Sequence, residues 1–266
     1  FLKLGFAYFN TQQEEKALVA YKKVVLDYKS TEEAKEALRA LKELYIFIGR
    51  PNDYLAFVQN QAGITISAPE QDSLLFEAAE KQYLSGNCTK ALPSLSEYIQ
   101  LFPTGNFIVS ATYYRADCFF KSNNFDEAYL DYKKLIGFGA SKYQENALLK
   151  ATYIAYEIQN NYVEALYLYY ELKNKASLQS NQEIALIGML RCNFKLKNYD
   201  EVITNATAVL SNAAMTEEVK TEATFYKAKA LLEKNKYQEA EAYFDQIVST
   251  ISISAIKAES AYSLAY

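Results

Sequence analysis

The chain has 266 residues, half of them hydrophobic, with 24 tyrosines and neither tryptophan nor histidine. Four prolines, eight glycines and few continuous β-branched runs speak against a sheet protein, while abundant Ala, Leu, Glu, Lys and Gln favour helix. A net charge of −4 with acids and bases interspersed argues against nucleic acid as a partner, and no apolar run approaches the roughly 18 residues of a transmembrane segment.

From the N-terminus onward the pattern is a helix–turn–helix unit repeated seven times. The units cover about 1–30, 31–69, 70–105, 106–139, 140–175, 176–212 and 213–250, with a partial helix over 252–266, and the whole of 1–266 reads as one array. Each unit has an anchor residue just after a short motif. The first anchors are Ala17 in QQEEKA, Tyr54 in RPNDY and Ala91 in GNCTKA. The later ones are Ala128 in NNFDEA, Ala165 in NNYVEA, Val202 in KNYDEV and Ala240 in NKYQEA. Successive anchors lie 37, 37, 37, 37, 37 and 38 residues apart, a register that a random helical sequence does not keep. Apolar residues at 0, 4 and 7 after the anchor give an amphipathic second helix, B; a second stripe before it gives a first helix, A.

The twelfth residue before the anchor is small in four units (Gly5, Ala79, Ala116, Ala228), which lets two helices approach closely. Gly49-Arg50-Pro51, Gly86-Asn87 and Asn123-Asn124 end helix A and start helix B. Pro103 closes a B helix, and Pro93, near the start of its helix, is expected to cause at most a local distortion. The second unit departs from the pattern. Its B helix gives way to an extended, irregular connector at 62–69, with a fresh helix expected at Glu70; an alternative role for the segment is an arm that adds to a partner as a strand. The chain opens at Phe1 and stops at Tyr266 inside apolar-periodic segments, as expected of a piece of a longer protein.

Catalytic equipment is missing from the sequence. Without histidine there is no His-based triad, His general base or His metal ligand, and no GxSxG, glycine-rich phosphate loop or HExxH is present. No cofactor and no metal is expected. Cys88, Cys118 and Cys192 are odd in number and lack CxxC spacing, so they read as small buried hydrophobes, with zinc or a disulfide as the alternatives.

The small residue at minus twelve, the aromatic near minus eight, the Gly/Asn turn, Tyr/Phe at minus three and Ala at the anchor resemble the tetratricopeptide repeat. Ala79, Tyr83, Gly86, Ala91, Leu95 and Pro103 give the best match, and the resemblance covers essentially the whole chain. The unit is longer than the usual 34 residues. The stretch 91–120 is similar to repeats of Gram-negative envelope proteins, such as outer-membrane assembly lipoproteins and the Tol–Pal coordinator. It also resembles long repeat proteins of Bacteroides-type bacteria. The resemblance implies an all-α superhelical solenoid, a concave face lined by helix A, and a periplasmic or outer-membrane-associated setting.

On that face the positions fifteen, eleven and eight before the anchor share one side. They supply Arg39, Phe76, Tyr113 and Lys150, then Glu43, Glu80, Asp117 and Arg191, then Tyr83, Phe120 and Phe194, as a groove for a protein or peptide. The minus-eleven row also holds Ile154 and Lys229 and runs from acidic to basic along the array, an ordering suited to orienting an extended ligand. Charge reversal at Glu80 or Asp117 is expected to weaken partner capture without altering the melting temperature. The reading is therefore a non-enzymatic protein-binding scaffold acting in cell-envelope assembly. The alternatives are a scaffold or regulatory domain attached to a catalytic domain elsewhere, or an architectural module that self-assembles as a homo-oligomer through the apolar side of the terminal helix.

Overall fold

A computed structural model of the chain describes residues 1–250 and 255–265, and all regular structure among these is helical. The first compact unit, Phe1–Ser141, contains α1 (Leu2–Asn10), α2 (Glu14–Asp27), α3 (Glu32–Ile48), α4 (Pro51–Asn60), α5 (Ala68–Leu84), α6 (Cys88–Leu101), α7 (Ile108–Lys121) and α8 (Phe125–Gly137). The second, Lys142–Tyr266, contains α9 (Gln144–Tyr153), which runs on as a π turn (Ile154–Ile158), and α10 (Tyr162–Lys175). It continues with α11 (Gln179–Lys195), α12 (Tyr199–Ser211), α13 (Glu217–Glu233), α14 (Tyr237–Thr250) and α15 (Ala255–Leu264). Odd-numbered helices are A and even-numbered ones B, in antiparallel pairs of a repeat solenoid.

All seven anchors are buried, none more than 5% exposed, because each faces helix A of its own pair. Five residues before every anchor the backbone is left-handed: Gln12, Gly49, Gly86, Asn123, Asn160, Lys197 and Asn235 all have φ between 51° and 77°. The amide after it closes helix A by reaching five residues back, as in Arg50→Tyr45 (2.9 Å), Asn124→Phe119 (2.9 Å) and Asn198→Asn193 (2.8 Å). The carbonyl of that same residue then accepts the first bond of helix B, from the anchor amide (Ala91→Asn87, 2.9 Å). One residue thus ends one helix and caps the next. Glycine and asparagine tolerate the left-handed well; Gln12 and Lys197 occupy it at a cost.

A second recurring device joins neighbouring A helices. Asp72 accepts from Tyr98 Oη (2.5 Å) and from the Asn106 amide (2.9 Å) just ahead of α7. Glu183 does the same for the Thr216 amide ahead of α13 (3.3 Å), and Glu145 for Ser177 and Asn181 at the start of α11. These hydrogen bonds, Asn181 foremost, hold the Glu145 carboxyl below its ordinary pKa.

Four features depart from the sequence expectation. The connector ends two residues early: α5 begins at Ala68 because Ser67 and Glu70 form a capping box, which makes Glu70 the third helical residue. Ala62, Ile64 and Ile66 lie against the core of their own unit, and the Ile64 amide donates to Val58 O (2.8 Å), covering apolar surface that a longer α4 would cover.

The π turn adds one residue to helix A of the fifth unit, so every position before it is displaced by one. Ile154, expected on the open face, is fully buried, and Tyr153, expected at the close-approach position, is 45% exposed. Third, Cys88 and Cys118 form a disulfide (Cα–Cα 5.2 Å) and are not simply buried hydrophobes; Cys192 is free and buried. Cys88 stands three residues before one anchor and Cys118 ten before the next, columns that face each other across adjacent repeats. Opposite Cys192 that column holds Tyr162.

Finally, the apolar side of α15 does not stay open, since Ile256 and Leu264 pack on the cluster of Phe225, Leu231 and Phe244. The expected start of that helix at 252 and its last residue, 266, lie outside the described residues. Pro93 leaves α6 continuous.

Relief of the left-handed strain is testable. Lys197→Gly should raise the unfolding free energy by about 0.5–1 kcal/mol, the strain removed less the extra chain entropy of glycine. It would appear as a higher urea midpoint at unchanged slope.

Candidate functional site

The A helices of the first unit place the predicted face side by side. Phe9 of α1 meets Phe47 of α3 edge to face at 5.7 Å, and the Lys81 ammonium of α5 lies 5.4 Å from the Phe47 ring centre. Lys42 pairs with Glu77 at 3.7 Å. Between α5 and α7 the contacts interlock. Tyr83 stacks on Tyr114 (4.2 Å, 17°), Tyr83 Oη donates to Asp117 Oδ2 (2.9 Å), and Tyr114 Oη donates to Glu80 Oε1 (2.8 Å). Lys121 Nζ completes the group, 2.6 Å from Asp117 Oδ2 and 5.1 Å from the Tyr83 ring centre. On the other side of α7, Arg115 holds Asp131 of α8 through two 2.7 Å bonds, a bidentate pair that fixes the helices' relative rotation.

In the second unit the basic residues of the same row are paired. Arg191 Nε and Nη2 both reach Glu222 Oε1 of α13 (2.6 and 2.5 Å), and Lys229 pairs with Glu259 of α15 at 2.7 Å. Burial opposes the charge of Arg191, but Glu222 outweighs it and holds the guanidinium above its ordinary pKa. Phe194 packs beside Tyr199 (5.6 Å) and Tyr226 (5.8 Å), with the Lys229 ammonium 5.0 Å from its ring centre. Burial pushes the Cys192 thiol up to about 12, so it stays protonated and unreactive at neutral pH.

Residues 1–31 and 192–256 each match the tetratricopeptide repeat family. Those two segments carry tetratricopeptide repeats. Similar solved structures include a tetratricopeptide repeat protein from Parabacteroides merdae, at 15% identity and a TM-score of 0.40, covering 100% of this chain and 97% of that one. Yeast Tom70 is similar at 14% identity and a TM-score of 0.44, covering 96% of this chain and 58% of that one. No curated protein matches in sequence.

The predicted groove residues fall into three groups. Arg39 and Glu43 on α3 are exposed, and no ion pair or hydrogen bond holds their side chains. Glu80, Tyr83, Tyr113, Asp117, Phe120, Lys150, Arg191 and Phe194 are half-buried. Glu80, Tyr83, Asp117, Arg191 and Phe194 all contact the A helix of an adjacent repeat, while Tyr113 lies against Tyr114 (6.2 Å) and Phe120 against Phe125 and Tyr132.

Phe76 is a correction. It is 4% exposed, stacked at 4.4 Å on Phe107, so it belongs to the core and offers no open surface. Lys150 is a second, because the π turn moves it one place off the row.

Five contributors were missed: Phe47, Tyr114, Lys121, Glu222 and Tyr226. Four of them stand at fourteen or seven before the anchor, three and four residues from the charged row, so a wider helical stripe would have included them. Among the described residues no group of His, Cys, Asp or Glu is arranged to hold a metal, no helix is long and apolar enough to cross a membrane, and no catalytic domain is evident.

The pairing changes what a charge reversal does. Asp117→Lys strands the Tyr83 hydroxyl and repels Lys121, so it should lower stability by about 1–3 kcal/mol. Glu43→Lys, unpaired and exposed, should stay within about 0.5 kcal/mol of the parent. Thermal melts followed by circular dichroism compare the two.

Proposed function

We propose that the chain is a non-enzymatic scaffold that holds a peptide or partner domain on the face of its A helices. The observation that carries this reading is the line of half-exposed aromatics on α1 and α3. Phe6 and Phe9 are each 37% exposed and Phe47 is 46% exposed, continuing toward Tyr83 and bordered by the unpaired Arg39 and Glu43. Exposed aromatic clusters with a charged border are the usual anchor of a protein interface, since burying them yields most of its energy. Tetratricopeptide repeats as a family mediate protein–protein contact, which supports the same reading. Self-association through α15 has less support, because Ile256 and Leu264 are already turned inward.

A photo-crosslinking amino acid at Phe47, in the full-length protein in its native cell, should trap a partner that the same residue at Leu130, exposed on helix B, does not. Equal capture at both positions, or none at Phe47, overturns the A-face reading.

We further propose an oxidising setting, the periplasm or the outer-membrane periphery, with a role in envelope assembly. The Cys88–Cys118 disulfide supports it, because such bonds persist where thiols are not kept reduced. Protein recovered from its cell under thiol-blocking conditions should carry label on Cys192 alone after unfolding. Label on all three cysteines would overturn that setting.

A further inference from the structure

The Cys88–Cys118 bond joins the first residue of α6 to the last turn of α7. Elsewhere a different brace serves that junction. In the second unit the residue three before the anchor is a tyrosine that reaches the end of the following A helix. Tyr162 of α10 has the Lys195 ammonium of α11 at 5.8 Å from its ring centre, and Tyr199 Oη of α12 donates to Glu233 Oε2 of α13 (3.2 Å). At the equivalent place α6 carries Cys88, and Cys118 stands opposite it where α11 and α13 have Cys192 and Ala230. Two separate thiols fill less of that space than a ring does, and unfilled space forfeits dispersion contact.

The end of α7 held in this way is part of the A face. It carries Asp117, which accepts from Tyr83 Oη of α5 (2.9 Å), and Lys121, paired with Asp117 at 2.6 Å. Arg115, earlier in the helix, is fixed by Asp131 of α8, so the part of α7 that depends on the disulfide is its last turn. Cys118 is fully buried and Cys88 half-buried just after the Gly86 turn, so a reductant meets Cys88 first.

We propose that this bond is a redox-sensitive latch on the A face. Closed, it holds Asp117 and Lys121 in register with Tyr83; opened by a dithiol reductant, it frees the last turn of α7 from α6. A thiolate of the reductant attacks Cys88 Sγ and the S–S bond breaks, with Cys118 leaving as a thiolate that takes up a proton. The reductant's second thiol then displaces Cys88 from the mixed disulfide, and that thiolate is protonated in turn. Two electrons and two protons pass to this chain, and the reductant departs as a disulfide. The latch needs no bound partner, so it stands or falls apart from crosslinking at Phe47.

The test is amide hydrogen exchange of the whole chain, read by mass spectrometry, before and after dithiothreitol under native conditions. Reduction should speed exchange in the last turn of α7 and the first turn of α6 by about thirtyfold or more, and leave Ala223–Leu231 of α13 unchanged. Cys88→Ser/Cys118→Ala should exchange at the fast rate without reductant. Cys88→Tyr/Cys118→Ala, which puts a ring on a small partner as at the other junctions, should exchange at the slow rate and ignore the reductant. Equal exchange of the oxidised and reduced chains in those two turns, or acceleration spread evenly over all helices, would overturn the latch. So would a bond that dithiothreitol opens only in the unfolded chain, a dithiothreitol response that persists in Cys88→Ser/Cys118→Ala, or a fast rate in Cys88→Tyr/Cys118→Ala.

Discussion

The constraint on which the rest depends is a single left-handed residue per repeat, five before the anchor. It lets the chain reverse in two residues, close helix A with a five-back hydrogen bond and cap helix B with the next carbonyl. Because the reversal is so short, the two helices have little freedom of relative phase. The small anchor must then face its partner helix, which is why alanine occupies five of the seven anchor positions. Where glycine or asparagine is replaced, at Gln12 and Lys197, the geometry persists. Packing of the helix pair therefore outweighs the local backbone penalty of roughly 1–2 kcal/mol.

Close packing of A helices has a consequence for charge. Carboxylates and cations on the minus-eleven row lie one repeat away from groups that can satisfy them, and most do so: Glu80 with Tyr114, Asp117 with Tyr83, Arg191 with Glu222, Lys229 with Glu259. A sign change along such a row records how each A helix is stitched to the next. What remains for a ligand is narrower: the aromatics on α1 and α3 and two unpaired charges.

Much of this was legible in the sequence. The 37-residue register located every anchor, the turn residues and the helix pairs, because core burial and backbone reversal each demand a residue type at a fixed place. The π turn was not legible. Tyr153 and Ile154 are both large and apolar, so either could face the core, and only the hydrogen bonds of the preceding turn decide which does. Phe76 was misplaced for a related reason: an aromatic on the open stripe of one helix is closed over when the next repeat supplies a ring, here Phe107. The cysteine pair could have been found by laying the columns of successive repeats against each other, since the chain spacing of 30 residues between Cys88 and Cys118 hides a direct contact. The connector's end depended on seeing Ser67 and Glu70 as reciprocal caps.

The same covalent link bears on how the array responds to force. A solenoid pulled at its ends yields repeat by repeat, each adding its contour length to the extension. The bond between Cys88 and Cys118 takes nearly all of α6 and most of α7 out of the loaded path, so those residues stay short however hard the ends are drawn. Roughly 100 Å of extension is withheld, at about 3.3–3.6 Å per residue. The third and fourth repeats thus form a mechanical stop, set by the redox state of the surroundings and indifferent to the strength of the packing around it.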